Sequence, residues 1–365
     1  MVDAAPQDFL VQRDNLRETR FAPAALALAD GQALLKIDKF ALTANNITYA
    51  VFGEAMQYWN FFPVDASQAG WGRVPVWGFA EVAGSKHPEV RVGERIYGYL
   101  PMSTHLVVQP ERVTPAAFMD GAAHRRALPT PYQVYARCAH DPLYDARHED
   151  ERAVLHPLFF TSWLIADFLD DHELFGATQA VLASASSKTA LGAAFALRQQ
   201  RPQGRLRIVG LTSPGNAAFC EQVGYYDQVV TYDALKTLPA DMPTVFIDMA
   251  GDGKVLHAVH HHFGDQLKHS CIVGATHWEQ RAPQHALPGA KPQFFFAPTQ
   301  VQKRSKDWGY SVLEQRLGEA WRAFLPSVSR WLQVRHGRGP QAVKDIYQEV
   351  LEGRSTPKTG HMLSL

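Results

Sequence analysis

The chain has 365 residues, 46% of them hydrophobic and 20% charged, with 36 Lys plus Arg set against 36 Asp plus Glu. That length accommodates two domains, and the balanced charge gives no general grip on nucleic acid or an anionic membrane surface, so neither partner is expected. Cys138, Cys220 and Cys271 are too few and too scattered for a disulfide framework, no apolar run of about 18 residues occurs, and the start lacks a basic-then-apolar leader, so a cytoplasmic protein is expected.

Phe9–Gln12 opens as a strand at the edge of the polar segment Val11–Thr19. Gly31–Thr43 alternates from Leu35 on: Leu35, Ile37 and Lys39 share one face, Lys36, Asp38 and Phe40 the other, which predicts a strand. Asn45 and Asn46 favour a cap, so a helix is expected to about Val51, ended by Gly53. Tyr58–Phe62 is an aromatic cluster. Residues 67–84 and His87–Pro101 read as strand, turn and strand with glycines at the corners, and His105–Pro110 as one more short strand. Residues 1–113 therefore read as β-rich. Residues 114–152, with Pro115, Pro129, Pro131 and Pro142, are expected to be loops around a short helix near Pro131–Cys138. Leu155–Leu169 has helical spacing.

Strands and helices then alternate. The expected strands are Ala180–Ser184, Leu206–Leu211, Gln228–Thr231, Thr244–Asp248, His269–Val273 and Gln293–Ala297. The helices between them are Thr189–Gln199, Asn216–Val223 and Lys254–Phe263. This interval predicts an α/β fold with a doubly wound parallel sheet. Trp308–Val334 and Gln341–Glu352 read as helical, and Lys358–Leu365 as a returning strand.

Within this half, Gln179–Leu197 passes from an apolar run through Ser184, Ser186, Ser187, Lys188 and Thr189 into an alanine-rich helix. Such a turn places free N–H groups and the positive end of a helix dipole where an anion binds. A plain strand–helix turn capped by serine is the alternative.

Three further stretches carry a resemblance. Val76–Gly84 with Val92–Gly98, Glu173–Leu182, and Ile247–Gly251 with Ile272–His277 are similar in order and character to segments of the medium-chain dehydrogenase/reductase superfamily, nearest its zinc-free, quinone-oxidoreductase-like branch. Leu42–Ala50 with Gly53–Trp59 resembles an uncharacterised subfamily of that branch. The resemblance implies a GroES-like catalytic and substrate domain over 1–155, a Rossmann dinucleotide-binding domain over 156–300, and a C-terminal return over 301–365. It also implies a homodimer through the sheet edge at Gln293–Ala297. The family's glycine-rich turn is altered here: its glycine places hold Ala185, Lys188 and Leu191, with Gly192 displaced by one.

The end of the second strand separates NAD from NADP, because NAD sites use a carboxylate there for the ribose 2′-OH. Here the strand ends in Thr212, Ser213 and Asn216 with no acid near, so NADPH is the expected cofactor, Lys188 adding charge at a 2′-phosphate. Met249, Ala250, Gly274, Ala275, Thr276 and Phe296 occupy strand ends where backbone groups would hold a nicotinamide carboxamide; ordinary packing is the alternative.

No metal is expected. Cys138 stands alone, Asn45 and Asn46 lie where a zinc-dependent relative places its ligand cysteine, and His260, His261 and His262 point different ways from one helix. A reductase of a quinone, enone or activated carbonyl then needs donors at the developing oxyanion. Asn45 is the expected carbonyl or ribose donor, Tyr49 or Tyr58 the proton donor with water as an alternative, and Trp59, Phe61 and Phe62 either pocket walls or packing. A Rossmann scaffold that binds without catalysis is the competing reading.

Overall fold

The computed structural model describes residues 5–24, 26–201, 206–249, 251–274 and 287–365. The expected Ala250, Ala275 and Thr276 lie outside the described residues. The chain divides into two compact units, Met1–Val154 with Gln333–Leu365, and Leu155–Leu332.

The first unit begins with β1 (Gln7–Gln12), β2 (Asn15–Pro23), β3 (Ala33–Leu42) and α1 (Ala44–Val51). It continues through β4 (Trp71–Gly72), β5 (Pro75–Ser85), β6 (Arg95–Pro101), β7 (His105–Val108), β8 (Pro110–Glu111), β9 (Ala117–Asp120) and β10 (Val134–Arg137). In β3 the alternation breaks at Asp38, where the register against β5 shifts between Ile37 and Lys39. The bulge turns Phe40 into the core and leaves Lys39 half-buried, on faces opposite to a straight two-residue period.

Around Pro131–Cys138 the structure corrects the expected short helix. Thr130–Tyr132 forms one tight turn, and Val134–Arg137 is the strand β10, paired with β9 and β6. The reason is local packing: Tyr135 lies over Gly98 of β6, where a Cβ atom would stand 2.5 Å from its ring. A side chain at that site would displace the tyrosine.

The second unit holds most of α2 (Glu149–Asp171), then β11 (Gln179–Ala183), α3 (Lys188–Gln200), β12 (Arg207–Thr212), α4 (Pro214–Val223) and β13 (Gln228–Thr231). There follow β14 (Thr244–Asp248), α5 (Gly253–Phe263), β15 (Leu267–Ile272), β16 (Pro292–Phe294), α6 (Ala297–Trp308) and α7 (Tyr310–Val328). The parallel sheet runs β13-β12-β11-β14-β15-β16, so the strand order reverses its direction between β11 and β14. The expected doubly wound sheet is therefore present. Its middle strands are almost wholly buried, as strands covered on both faces by helices must be.

The chain returns through β17 (Gln333–Arg338), α8 (Gly339–Leu351) and β18 (Thr359–Ser364). Both strands join the larger sheet of the first unit, ordered β17-β18-β3-β5-β6-β10-β9-β8 with β7 beside β3. Residues 301–332, grouped with the return in the sequence reading, cluster with the second unit because α6 and α7 pack there; the return begins at Gln333. Among the described residues one helical stretch, Ala146–Asp171, is long and apolar enough to cross a membrane, and 67% of its apolar window is buried inside the protein.

Candidate functional site

In the second unit, all strand C-termini share one edge because the sheet is parallel, and ligands of such sheets sit where the strand order reverses. The turn from β11 to α3 lies there. Ser184 adopts φ +52°, the left-handed conformation usually left to glycine, and its N–H donates to the Tyr232 hydroxyl at 3.1 Å. The Ala185 N–H donates to the Leu211 carbonyl (3.1 Å), and the Tyr226 hydroxyl to the Ala185 carbonyl (2.7 Å). Ala185 is completely buried. Its methyl lies where a Cβ on Gly210 would come within 2.9 Å, so Gly210 lets β12 pass this turn closely.

Ser187 is the cap of α3, its Oγ accepting from the Ala190 N–H at 3.2 Å. Ser184, Ser186, Lys188 and Thr189 are half-buried around it. Lys188 stands at the first helical position, and burial pushes its ammonium down to about 8. A cation at a helix N-terminus opposes the dipole, so an anion in the turn relieves both penalties. Gly192 completes the local design: a Cβ there would come within 2.7 Å of Ser162 Oγ, which donates to the Thr189 carbonyl at 2.7 Å. The displaced glycine thus serves close packing of α3 on α2.

At the end of β12, Asn216 Nδ2 donates to Ser186 Oγ at 3.1 Å, joining the second turn to the first. Ser213 caps α4 and is half-buried. Thr212 departs from its expected role: it is 1% exposed and hydrogen-bonds Cys220, so its hydroxyl faces the core. The strand ends β14 and β15 are drawn together at Gly274, whose added Cβ would meet the Met249 carbonyl at 2.3 Å. Met249 is buried, and Phe296 is 41% exposed at the start of α6.

In the first unit, Thr43 and Asn46 cap α1, with Thr43 N–H donating to Asn46 Oδ1 at 2.8 Å and Asn46 Nδ2 to the Pro75 carbonyl at 2.9 Å. That fixes the helix and leaves the half-buried Asn45 beside the Tyr49 hydroxyl, one turn on. Asn45 and Tyr132 are polar neighbours of that hydroxyl. Tyr58 Oη lies 3.4 Å from Tyr132 Oη. The rings pack closely: Tyr49 to Tyr58 at 4.6 Å, Tyr99 to Tyr132 at 4.8 Å, and Trp77 to Tyr99 at 5.1 Å. Burial raises the pKa of Tyr49, Tyr58 and Tyr132 above the ordinary phenol value, so all three are neutral hydroxyls near pH 7. Tyr132, Trp77 and Tyr99 are the members that sequence reasoning missed.

Trp59, Phe61 and Phe62 are packing residues, each 1–2% exposed. Trp59 is wedged between Gly53 and Gly72, where Cβ atoms would come within 2.0 and 2.5 Å of its ring. Of the three adjacent histidines, His260 is buried between Ser270 Oγ and the Pro288 carbonyl (both 2.9 Å). His261 turns to the His257 carbonyl and His262 to the Leu238 carbonyl. Among the described residues no three His, Cys, Asp or Glu side chains converge to hold a metal ion.

A family profile described as "Protein of unknown function (DUF2855)" matches residues 40–356. No curated protein matches the sequence. Among solved structures, CurA from Vibrio vulnificus is similar at 13% identity and TM-score 0.65, covering 99% of each chain. Its complex with NADPH gives 12% identity and TM-score 0.65 over 98% of each chain. The yhdH oxidoreductase from Salmonella enterica in complex with NADP gives 12% and 0.54, over 98% of this chain and 99% of that one. At such identities the likeness establishes a shared fold.

Proposed function

The chain belongs to the DUF2855 family of proteins of unknown function, and from that premise we propose that it is an NADPH-dependent reductase of a quinone, enone or other activated carbonyl compound, working without metal. The single observation that carries this reading is the β11–α3 turn. It gathers Ser184, Ser186, Ser187 and Thr189, an N-terminal helix end, and Lys188 depressed by burial, at the strand-order reversal of a parallel sheet. The donor set suits a phosphate: hydroxyls and a cation, with no carboxylate at the end of β12. Structures of the same fold hold NADPH or NADP.

In this reading Ser186, Lys188, Ser213 and Asn216 hold the 2′-phosphate, and the ends of β14 to β16, at Met249, Gly274 and Phe296, hold the nicotinamide. Bound NADPH supplies a hydride. Asn45 donates to a carbonyl or ribose hydroxyl, and the tyrosine cluster supplies the proton. The edge strand β16, with Phe294 51% and Phe296 41% exposed, pairs two copies into a homodimer.

The test is addition of NADPH to the pure protein, read by nucleotide fluorescence and thermal stability. Binding in the micromolar range with a raised melting temperature supports the reading, and no response at millimolar NADPH sinks it. Binding without turnover across a broad carbonyl panel would instead favour a non-catalytic scaffold.

A further inference from the structure

Tyr49 and Tyr58 do not stand as independent proton donors, because both meet at Tyr132. The Tyr132 hydroxyl lies 3.4 Å from that of Tyr58, and the Tyr132 ring stands edge-on to that of Tyr49 at 6.3 Å. Tyr49 and Tyr58 are 6% and 8% exposed, whereas Tyr132 is half-buried. Its backbone is pinned. Tyr132 N–H donates to the Pro129 carbonyl at 3.2 Å, and Gln133 Nε2 donates to the carbonyls of Arg125 (2.8 Å) and Leu128 (2.5 Å). The ring is fixed edge-on to Phe61 at 5.4 Å and against Tyr99 at 4.8 Å. A phenol oxygen held this way is preorganised as a donor.

We propose that Tyr132 is the phenol that hands its proton to the substrate oxygen, with Tyr49 and Tyr58 as positioning residues that stabilise the phenolate left behind. This rests on the reductase reading above. The Tyr132 O–H bond breaks, an O–H bond forms on the enolate oxygen of the reduced substrate, and the negative charge remains on Tyr132 Oη. Tyr49 and Tyr58 then turn their hydroxyls to donate to that oxygen, charge-assisted bonds that gain strength where water is scarce. A solvent water returns the proton at the exposed face, and its hydroxide passes to the buffer. The substrate class follows from the same side chains. Tyr49, Tyr58, Phe61, Trp77, Tyr99 and Tyr132 carry no formal charge, and Arg125 is committed to Asp120 at 3.2 Å. An uncharged conjugated carbonyl suits this cluster better than a carboxylate.

The probe is 4-nitrophenol, whose phenolate imitates the enolate oxygen and reports its own ionisation by absorbance without cofactor or turnover. Wild-type protein is expected to bind it and lower its pKa. Tyr132→Phe keeps the ring, so the melting temperature stays, but binding weakens about tenfold and the pKa shift is lost. Tyr49→Phe and Tyr58→Phe, acting through Tyr132, each lose less. Equal binding by wild type and Tyr132→Phe, no binding by wild type, or a larger loss in Tyr49→Phe overturns the proposal. If these results hold while NADPH fails to bind, the donor role of Tyr132 towards an oxyanion stands and the reductase reading falls. If NADPH binds and nitrophenolate does not, the reverse holds.

Discussion

Asn216 Nδ2 donates to Ser186 Oγ across 3.1 Å, so the helix start after the second strand is tied to the turn after the first. In the proposed reading both residues contact the 2′-phosphate, and the bond restrains the Ser186 rotamer. Asn216→Ala is expected to weaken NADPH about tenfold while changing NADH less, because the start of α3 keeps its own cap at Ser187. Fluorescence titration with both nucleotides measures this. Equal losses for the two would remove Asn216 from discrimination.

Ser184 stores a different kind of information. Its φ of +52° is a conformation in which a side chain costs roughly 1–2 kcal/mol relative to glycine. Ser184→Gly is therefore expected to leave stability unchanged or raise it by up to about 1 kcal/mol, the gain being trimmed by greater freedom of the unfolded chain. Urea denaturation at constant m-value checks it. Ser184→Val, with a branched Cβ in the same region, is expected to destabilise clearly. A stabilising valine would mean the turn relaxes out of the left-handed region.

Gly192 tests close packing rather than backbone conformation. A methyl there would stand 2.7 Å from Ser162 Oγ and 3.0 Å from Ser162 Cβ. Gly192→Ala is expected to cost about 1–3 kcal/mol, since two packed helices must part. Ser162→Ala in the same chain removes the nearer atom and is expected to restore part of the loss. Full additivity of the two changes in chemical denaturation would contradict the contact.

The inner strands of the second unit's sheet were legible because they are short apolar runs separated by helical spacing, and strands buried on both faces need nothing more. Three elements were not. The strand β10 follows Pro129 and Pro131, and only the gap at Gly98 across the sheet makes room for Tyr135. The strand β17, Gln-Val-Arg-His-Gly-Arg, is mostly exposed and is held by parallel pairing with β18 rather than by apolar alternation. The helix α6 is polar, with Arg304 bound to Asp167 at 2.6 Å and Asp171 at 3.0 Å. The same cause hid Tyr132: it stands in a proline-rich turn, 74 residues from Tyr58, and no local period reports a meeting at that separation. Thr212 failed for the opposite reason, since its place at a strand end was right but its hydroxyl turned inward to Cys220.

The edge strand offers a test of assembly. Phe294 and Phe296 are 51% and 41% exposed at the edge of the sheet, where β16 pairs only with β15 among the described residues, a surface that isolated proteins usually protect. Sedimentation of the wild-type protein at micromolar concentration is expected to show a dimer, and Phe294→Glu to shift it to monomer without loss of secondary structure. A monomeric wild type ends the proposal of pairing through β16.

Lys188 gives the pH dependence. Burial brings its pKa from 10.5 to about 8 in the folded protein. Between those values the unfolded chain holds a proton that the folded chain has lost, so stability rises with pH through that window, and the penalty is fully present below about 8. A 2′-phosphate works in the other direction, because an anion beside the ammonium favours its charged form. NADPH binding is therefore expected to take up a proton above about pH 8, and NADPH affinity to fall as the pH rises further. NADH, lacking that phosphate, is expected to show a flatter profile. Lys188→Ala should weaken NADPH more than NADH and flatten the NADPH profile, as well as removing the rise in stability on the alkaline side. If both nucleotides weaken equally and the profile keeps its shape, Lys188 faces the pyrophosphate or the protein rather than the 2′-phosphate, and the selectivity rests on Ser186, Ser213 and Asn216.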